Sequence, residues 1–425
     1  MSTSLSAIDQ KTNTAETRSN ILVPKLRFRE FDGFWKKSLL DNVAKRGSGH
    51  TPSKNFANYY NGGIKWVSLA DSKKLDKGYI EDTEFKISQE GIKNSSAVLH
   101  PKESVLLSRD AGVGKSAVMK SEMAVSQHFI VWQGKDEILS NWFLYHILQI
   151  LKPEFERIAV GSTIKTIGLP YFKKLNIVIP DFPEQQKIAS FLSSVDEKIQ
   201  QLTRKKELLE QYKKGVMQNL FSGKLRFKDE NGKDFPDWEE KKFKNFVKDY
   251  RLGGNYQNTT ELTDYPLIKM GNLDRGKIKL DKIEYIPINQ VIDSKDEIKY
   301  GDLFFNTRNT LDLVGKVAIW RNELPVAYYN SNLMYLKFDN NFFMNYSFNS
   351  YEGVKALKRF ATGTTSVAAI YTKDLLKLEL SIPCLEEQQK IASYLSSIDT
   401  KIESVTNQIT QTQTYKKGLL QQLFV

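Results

Sequence analysis

The chain has 425 residues, 40% hydrophobic and 26% charged, with a formal net charge of +12 and a pI near 9.3. This length and composition exclude a fibrous or wholly disordered chain and leave room for two or more domains, while the basic excess favours a polyanionic partner. The lone cysteine, Cys384, precludes an internal disulfide and fits a reducing, cytoplasmic setting; with four scattered histidines (His50, His100, His128, His146) it offers no zinc spacing.

Residues 1–24 read as a disordered tail: Met1 to Asn20 is rich in Ser, Thr and Asn and lacks the apolar core of a signal peptide. A first body is expected over 25–183, opening with Lys25-Leu-Arg-Phe28 and an inward Trp35. The stretch from Lys45 to Tyr60 combines bases, small polar groups and aromatics. There Lys45, Arg46, Thr51, Ser53, Lys54, Tyr59 and Tyr60 are candidates for phosphate and base contact. Strand-like alternation follows at Gly63–Leu69 and Ser104–Ser108. Arg109 leaves the second of these strands and could aim into a groove.

Gly112-Val-Gly-Lys-Ser116 is not a phosphate loop, because the glycine required five positions before Gly114 is Arg109. Gly114-Lys115 instead predicts a turn between strands, with Lys115 free to meet a phosphate. Asn141–Leu151 reads as a helix. Its apolar stretch is too short to span a bilayer. Ser162 and Lys165 lie in a polar turn, and Leu175–Ile179 closes the body as a strand.

A long helix is expected over 184–221, after Ile179-Pro180, with early acids as a start signal. Its apolar positions Ile188, Leu192, Val195, Ile199 and Leu202 step by four and three, the spacing of a coiled-coil seam. A second body over 222–386 repeats the order. It begins Lys224-Leu-Arg-Phe227, then Trp238. Pro236-Asp237-Trp-Glu239-Glu-Lys241 superficially suggests a nuclease, but the acids are two residues apart and the first body has none there. DNA-contact candidates here are Arg251, Asn255, Tyr256, Lys269, Asn306, Arg308, Asn309, Lys316, Thr364 and Thr365. Asn341–Phe360 reads as a helix and Leu378–Ile382 as the closing strand. A second long helix spans 387–425, with seam positions Ile391, Leu395, Ile398, Ile402, Val405 and Ile409.

The two halves are copies. Glu184–Ile199 returns as Glu387–Ile402, an offset of 203 (387 − 184), differing only at Phe191/Tyr394, Val195/Ile398 and Glu197/Thr400. Tyr212–Phe221 and Tyr415–Phe424 match at the same offset, and Trp35 aligns with Trp238. The bodies between agree in scattered places, such as Gly161-Ser-Thr163 with Gly363-Thr-Thr365. The expected architecture is therefore α+β: two globular domains separated and joined by two long antiparallel coiled-coil helices, with pseudo-two-fold symmetry. Helix two ends where a next unit would begin, so Val425 is predicted to lie near Lys25. No metal site, glycine-rich cofactor turn or amino-methyltransferase motif is evident, so catalysis by this chain is not expected.

This order and these motifs resemble the specificity subunits of Type I restriction–modification systems. The resemblance rests on Gly49-His-Thr-Pro-Ser53, Gly63-Ile-Lys-Trp-Val67, Leu106-Leu-Ser-Arg109, Gly114-Lys115, Ser126-Gln127, Gly161-Ser-Thr163 and the doubled Glu184-Gln185 helix block. The second body departs from it, with Gly253-Gly-Asn-Tyr256 in place of the Thr-Pro-Ser pattern. The resemblance implies two target recognition domains, each reading half of a split site in double-stranded DNA, with helices that fix the unread gap. It implies two modification subunits and ATP-dependent restriction subunits as partners, with no membrane role. S-adenosylmethionine, ATP and magnesium would sit on those partners and no cofactor on this chain. A stand-alone sequence-specific DNA-binding protein and a coiled-coil scaffold remain the alternatives.

Overall fold

The computed structural model describes residues 22–425. The expected tail lies outside the described residues up to residue 21. Leu22 and Pro24, read as tail, are packed: Leu22 lies against the first core and its carbonyl accepts from Trp35 N at 3.1 Å. The chain forms two compact units, Met1–Arg204 with Thr406–Val425, and Lys205–Val405.

In the first unit the strands Val105–Ser108 and Phe129–Gly134 are near-continuous apolar runs, the pattern of strands buried on both faces. They lie inside a five-stranded sheet ordered Ala44–Ser48, Phe129–Gly134, Val105–Ser108, Ser116–Met119, Tyr79–Ile80. Alternate residues face opposite sides. Val105, Leu107, Ile130 and Trp132 meet helix α1 (Asn141–Ile158) through Phe143, Leu144 and Leu148. Leu106, Phe129 and Val131 meet Val67, Met123 and Val125 of a second, four-stranded sheet.

The second unit repeats this plan with Asp249–Leu252, Leu333–Lys337, Leu303–Asn306 and Val317–Ile319 in the matching order. Its helix falls short of the expected Asn341–Phe360. Helix α2 (Asn341–Asn349) stops at Ser350, whose hydroxyl caps the next helix by accepting from Gly353 N at 3.0 Å. Only glycine fits at 353, because a Cβ would lie 2.0 Å from Ser347 O.

A two-stranded ribbon closes each body, Lys36–Leu39 with Asn176–Ile179 and Glu239–Lys242 with Glu379–Ile382. From it the chain enters a long helix, α3 (Phe182–Phe221) in the first case and α4 (Leu385–Leu423) in the second. Both start two residues before the expected positions.

The first-turn acids and amides have local work. Arg27 Nε and Nη2 grip Glu184 at 2.8 and 2.7 Å. Arg226 grips Glu387 in the same way at 3.2 and 2.8 Å. Gln185 Nε2 donates to Pro180 O and Ile138 O, each at 2.9 Å, and its Oε1 accepts from Ser140 N at 3.0 Å. Gln388 donates to Pro383 O at 3.0 Å. The repeated Lys-Leu-Arg-Phe and Glu-Gln motifs are thus two halves of one clasp at a helix start.

The seam residues serve more than helix pairing. In the first unit Ile188, Leu192 and Val195 join the body core together with Leu419 and Leu423. In the second, Ile391, Leu395 and Ile398 do so with Val216 and Leu220. Ile199 and Ile402 pack at the edges of these cores, Leu202 and Val405 are buried, and Ile409 is half-buried.

In each unit the N-terminal part of one long helix lies with the C-terminal part of the other, the antiparallel sense. Lys416 binds Asp196 at 2.6 Å in the first unit, and Lys213 binds Asp399 at 2.5 Å in the second. The two pairs are repeats of each other, since 196 + 203 = 399 and 213 + 203 = 416. The predicted approach of the C-terminus to Lys25 is present. Leu26 N donates to Gln422 O at 2.9 Å, where the second unit has Leu225 N to Asn219 O at 3.0 Å. Phe424 stacks on Phe143 at 5.0 Å, as Phe221 lies against Phe343 at 5.7 Å.

Candidate nucleic-acid interface

Strand register brings three loops to one end of the sheet in each body. In the first unit Ile130 pairs with Ser48 and Phe129 with Ser108. The loop after Ser48, the loop after Ser108 and the turn Ser126–His128 therefore converge. In the second unit Leu252 pairs with Met334 and Asn306 with Leu333, gathering the equivalent loops.

Hydrogen bonds knit them. Arg109 N donates to His128 O and Ile167 N to Arg109 O, both at 3.0 Å. In the second unit Thr307 Oγ1 donates to Asn332 O at 3.1 Å and Ile370 N to Thr307 O at 3.0 Å. The counterpart of Arg109 is thus Thr307; Arg308 matches Asp110, which pairs with Thr166 as Arg308 pairs with Ala369.

The Gly-Lys turns form as expected, with Gly114 and Gly315 at φ 84° and 74°, where glycine is favoured. Their lysines are not free. Lys115 Nζ binds Asp76 at 2.8 Å, and Lys316 Nζ donates to Leu273 O at 3.3 Å beside Asp274. An aspartate on a neighbouring segment, Asp76 or Asp274, gives each ammonium a local partner.

The candidate side chains divide into two groups. Lys45, Ser53, Lys54, Ser162, Lys165, Asn255, Arg308, Thr364 and Thr365 are exposed. Thr51 and Tyr59 are half-exposed, and Tyr59 packs on Phe56. Asn309 Oδ1 accepts from Thr310 N at 2.8 Å.

The second group is committed inside the fold. Arg46 pairs with Asp41 at 2.9 Å, and Tyr60 donates to Pro52 O at 2.5 Å. Lys269 binds Glu284 at 2.7 Å. Arg251 lies over Tyr335 at 4.3 Å and donates to Lys295 O. Tyr256 donates to Asp296 at 2.6 Å, and burial followed by that carboxylate pushes its hydroxyl up to about 12. Asn306 is fully buried; its Oδ1 accepts from Arg308 N at 3.2 Å, so it shapes the loop and does not face a groove.

A polar chain that joins Thr51 and the Ser126-Gln127 motif to His128 and Asp110 crosses the first interface. Thr51 Oγ1 donates to Gln127 Oε1 at 2.5 Å, and Gln127 Nε2 lies 3.5 Å from His128 Nε2. His128 Nδ1 meets Asp110 Oδ2 at 2.7 Å, and Thr166 Oγ1 donates to Asp110 Oδ1. The available signal was a glutamine and a histidine just before a largely apolar strand.

Among the described residues no group of three His, Cys, Asp or Glu could hold a metal, and no helix is long and apolar enough to cross a membrane.

The model of the Type I restriction modification DNA specificity domain matches this chain twice, over residues 34–211 and 236–413. The MjaIX specificity subunit of Methanocaldococcus jannaschii is 28% identical over 57% of this chain, and the match spans 59% of that relative's length. The EcoKI specificity subunit of Escherichia coli K12 is 19% identical over 84% of this chain and 82% of its own. The crystal structure of the Type I restriction–modification S subunit from M. genitalium shares the fold, with a TM-score of 0.59 and 15% identity over 95% of this chain and 99% of that one. With both bodies matched and the clasp-and-helix plan repeated in each, the chain belongs to the family of Type I restriction enzyme specificity subunits, with two target recognition domains.

Proposed function

We propose that this chain is the non-catalytic DNA-reading subunit of a Type I restriction–modification enzyme, each body recognising one half of a bipartite site. The observation that carries the proposal is the doubled interface: three loops gathered at the same end of the sheet in both units, with different exposed side chains. Exposed cations such as Lys54, Lys165 and Arg308 supply salt-dependent phosphate affinity. A few polar side chains supply base readout. The long helices, about 60 Å each at ~1.5 Å per residue, set the unread gap. Tethering turns two weak readings into one strong one.

Two modification subunits, carrying S-adenosylmethionine and methylating an adenine in each half-site, dock on this chain. Restriction subunits using ATP and magnesium join that core. The assembly works on DNA in the cytoplasm. Co-expression with a modification subunit, followed by methylation of duplex DNA by the purified complex, tests the proposal. The expected product is N-methylated adenine within a split sequence. A complex that binds DNA without sequence preference, or a chain that methylates alone, would sink it.

A further inference from the structure

The two bodies provide an internal comparison along their main helices. Helix α2 of the second body matches helix α1 of the first, because Phe343 packs on Trp238 as Phe143 packs on Trp35. Asn345 therefore stands where the first body has Tyr145. Each lies over a glycine with positive φ, Gly276 at 83° and Gly78 at 79°. In the first body the tyrosine is buried, and a Cβ on Gly78 would lie 2.8 Å from its hydroxyl. In the second, Asn345 Nδ2 donates to Gly276 O at 3.2 Å, and the asparagine carries no ring to occupy the same place.

A cavity of about 630 Å³ opens there, lined by Asn345 and Asn349 of α2, by Arg275, and by the stretch of α3 that carries Lys213 and Lys214. This is the size of a small-molecule site. Two polar atoms of the lining residues, Arg275 Nη1 and Asn349 Oδ1, are buried without a partner. Buried polar groups are nearly always satisfied, so a donor and an acceptor in one cavity wall call for a ligand that answers both. The acid next to Arg275 in sequence does not serve: Asp274 is bound by Lys279 at 2.6 Å. Burial holds the Arg275 pKa below the ordinary guanidinium value, even beside that carboxylate. Lys214 adds an exposed cation, while Lys213 is committed to Asp399 at 2.5 Å and the acid Glu210 lies 4.0 Å from Lys206.

We infer that this cavity of the second body binds an aromatic phosphate of nucleotide size. The phosphate takes the Arg275 guanidinium, whose fork matches its oxygens, with Lys214 as a second cation. The ring takes the place that Tyr145 holds in the first body, and an N–H on it donates to Asn349 Oδ1. Lys214 belongs to α3 and Arg275 to the body, so the bound ligand ties the long helix to the second body. The first body, with Tyr145 in that place, binds none.

The test is isothermal titration calorimetry of the purified full-length chain with adenosine monophosphate (AMP), adenosine and inorganic phosphate. The expected result is one AMP per chain, bound about ten-fold or more tighter than either fragment. Arg275→Gln should weaken AMP binding by about ten-fold or more, and Lys214→Ala by about three-fold. Asn345→Tyr, which introduces the residue of the first body, should abolish it. Lys214 lies on the surface, so Lys214→Ala should keep the wild-type melting temperature and decides the case if Asn345→Tyr misfolds. AMP should also slow hydrogen exchange along the cavity-lining stretch of α3. No binding at about 1 mM AMP, AMP no tighter than phosphate, or affinity unchanged in Arg275→Gln and Lys214→Ala overturns the inference. So does displacement of AMP by duplex DNA, which would make a DNA phosphate the occupant. The assay involves no partner subunit and no half-site, so its failure leaves the function proposed above standing.

Discussion

Arg27→Ala should destabilise the start of the first long helix more than Arg226→Ala destabilises the second. Glu184 is 2% exposed and held by two charged bonds from Arg27. Removing one partner of a buried pair costs about 3–5 kcal/mol, because the remaining charge is stranded. Glu184 sits in the first helical turn, where the helix dipole returns about 0.5–1 kcal/mol, leaving a loss of about 3 kcal/mol.

Glu387 has further support. Trp238 Nε1 donates to it at 3.0 Å, whereas the equivalent Trp35 Nε1 has no partner. A hydrogen bond to a charge contributes about 1.5–3 kcal/mol, so the second loss shrinks to about 1.5 kcal/mol. Unfolding of so large a chain is not two-state, and local opening is the proper observable. Hydrogen exchange over residues 186–195 and 389–398 reads it directly. Losses that are equal within about 0.5 kcal/mol, or larger for Arg226→Ala, would refute the reasoning.

Three further outcomes follow from the same comparison of partners. Lys416→Met should cost about 2–3 kcal/mol and Lys213→Met about 1 kcal/mol, because Asp399 keeps the Tyr346 hydroxyl at 2.7 Å while both Asp196 oxygens rely on Lys416; equal losses by hydrogen exchange in the helix turns around Asp196 and Asp399 would contradict this. His146 is fully buried, and burial together with Lys416 holds its pKa well below the ordinary histidine value. The unfolded chain therefore binds the extra proton. Stability is complete above pH ~6.5 and falls by up to about 1.4 kcal/mol per unit below it, a slope that His146→Phe should flatten in urea titrations at pH 5 and 7. Lys54→Ala should lower the salt slope of DNA binding by about one phosphate contact, while Lys115→Ala should leave it unchanged, since Lys115 is already paired with Asp76; fluorescence anisotropy over a salt series decides.

The repeat made much of the fold readable. An offset of 203 located both long helices, both closing strands and the meeting of the chain end with Lys25. What it left hidden was division of labour within the motifs. Ile188 and Leu192 show a coiled-coil spacing, yet a helix wedged between a body and a second helix needs the same spacing, so periodicity alone cannot separate the two. The early acids of the Glu-Gln block mark a helix start, but the charge of Glu184 is consumed by an arginine 157 residues away in sequence, which no local pattern announces.

The interface was half legible for the same reason. Lys54 and Lys115 are indistinguishable in a sequence; only the fold supplies Asp76 to one of them. Asn306 follows a strand as a groove-reading residue would, yet its strand is buried on both faces. Ser126-Gln127 stands out as a motif, but its link to His128 is hidden because it runs through Thr51, Asp110 and Thr166, residues brought together across three loops.

The central claim is that each body reads one half-site on its own. Replacing residues 40–180 with the equivalent body of another family member, then sequencing the methylome of a host carrying the whole complex, tests it most directly. The account predicts a new first half-site, with the second half-site and the gap unchanged; a change in both half-sites would contradict it.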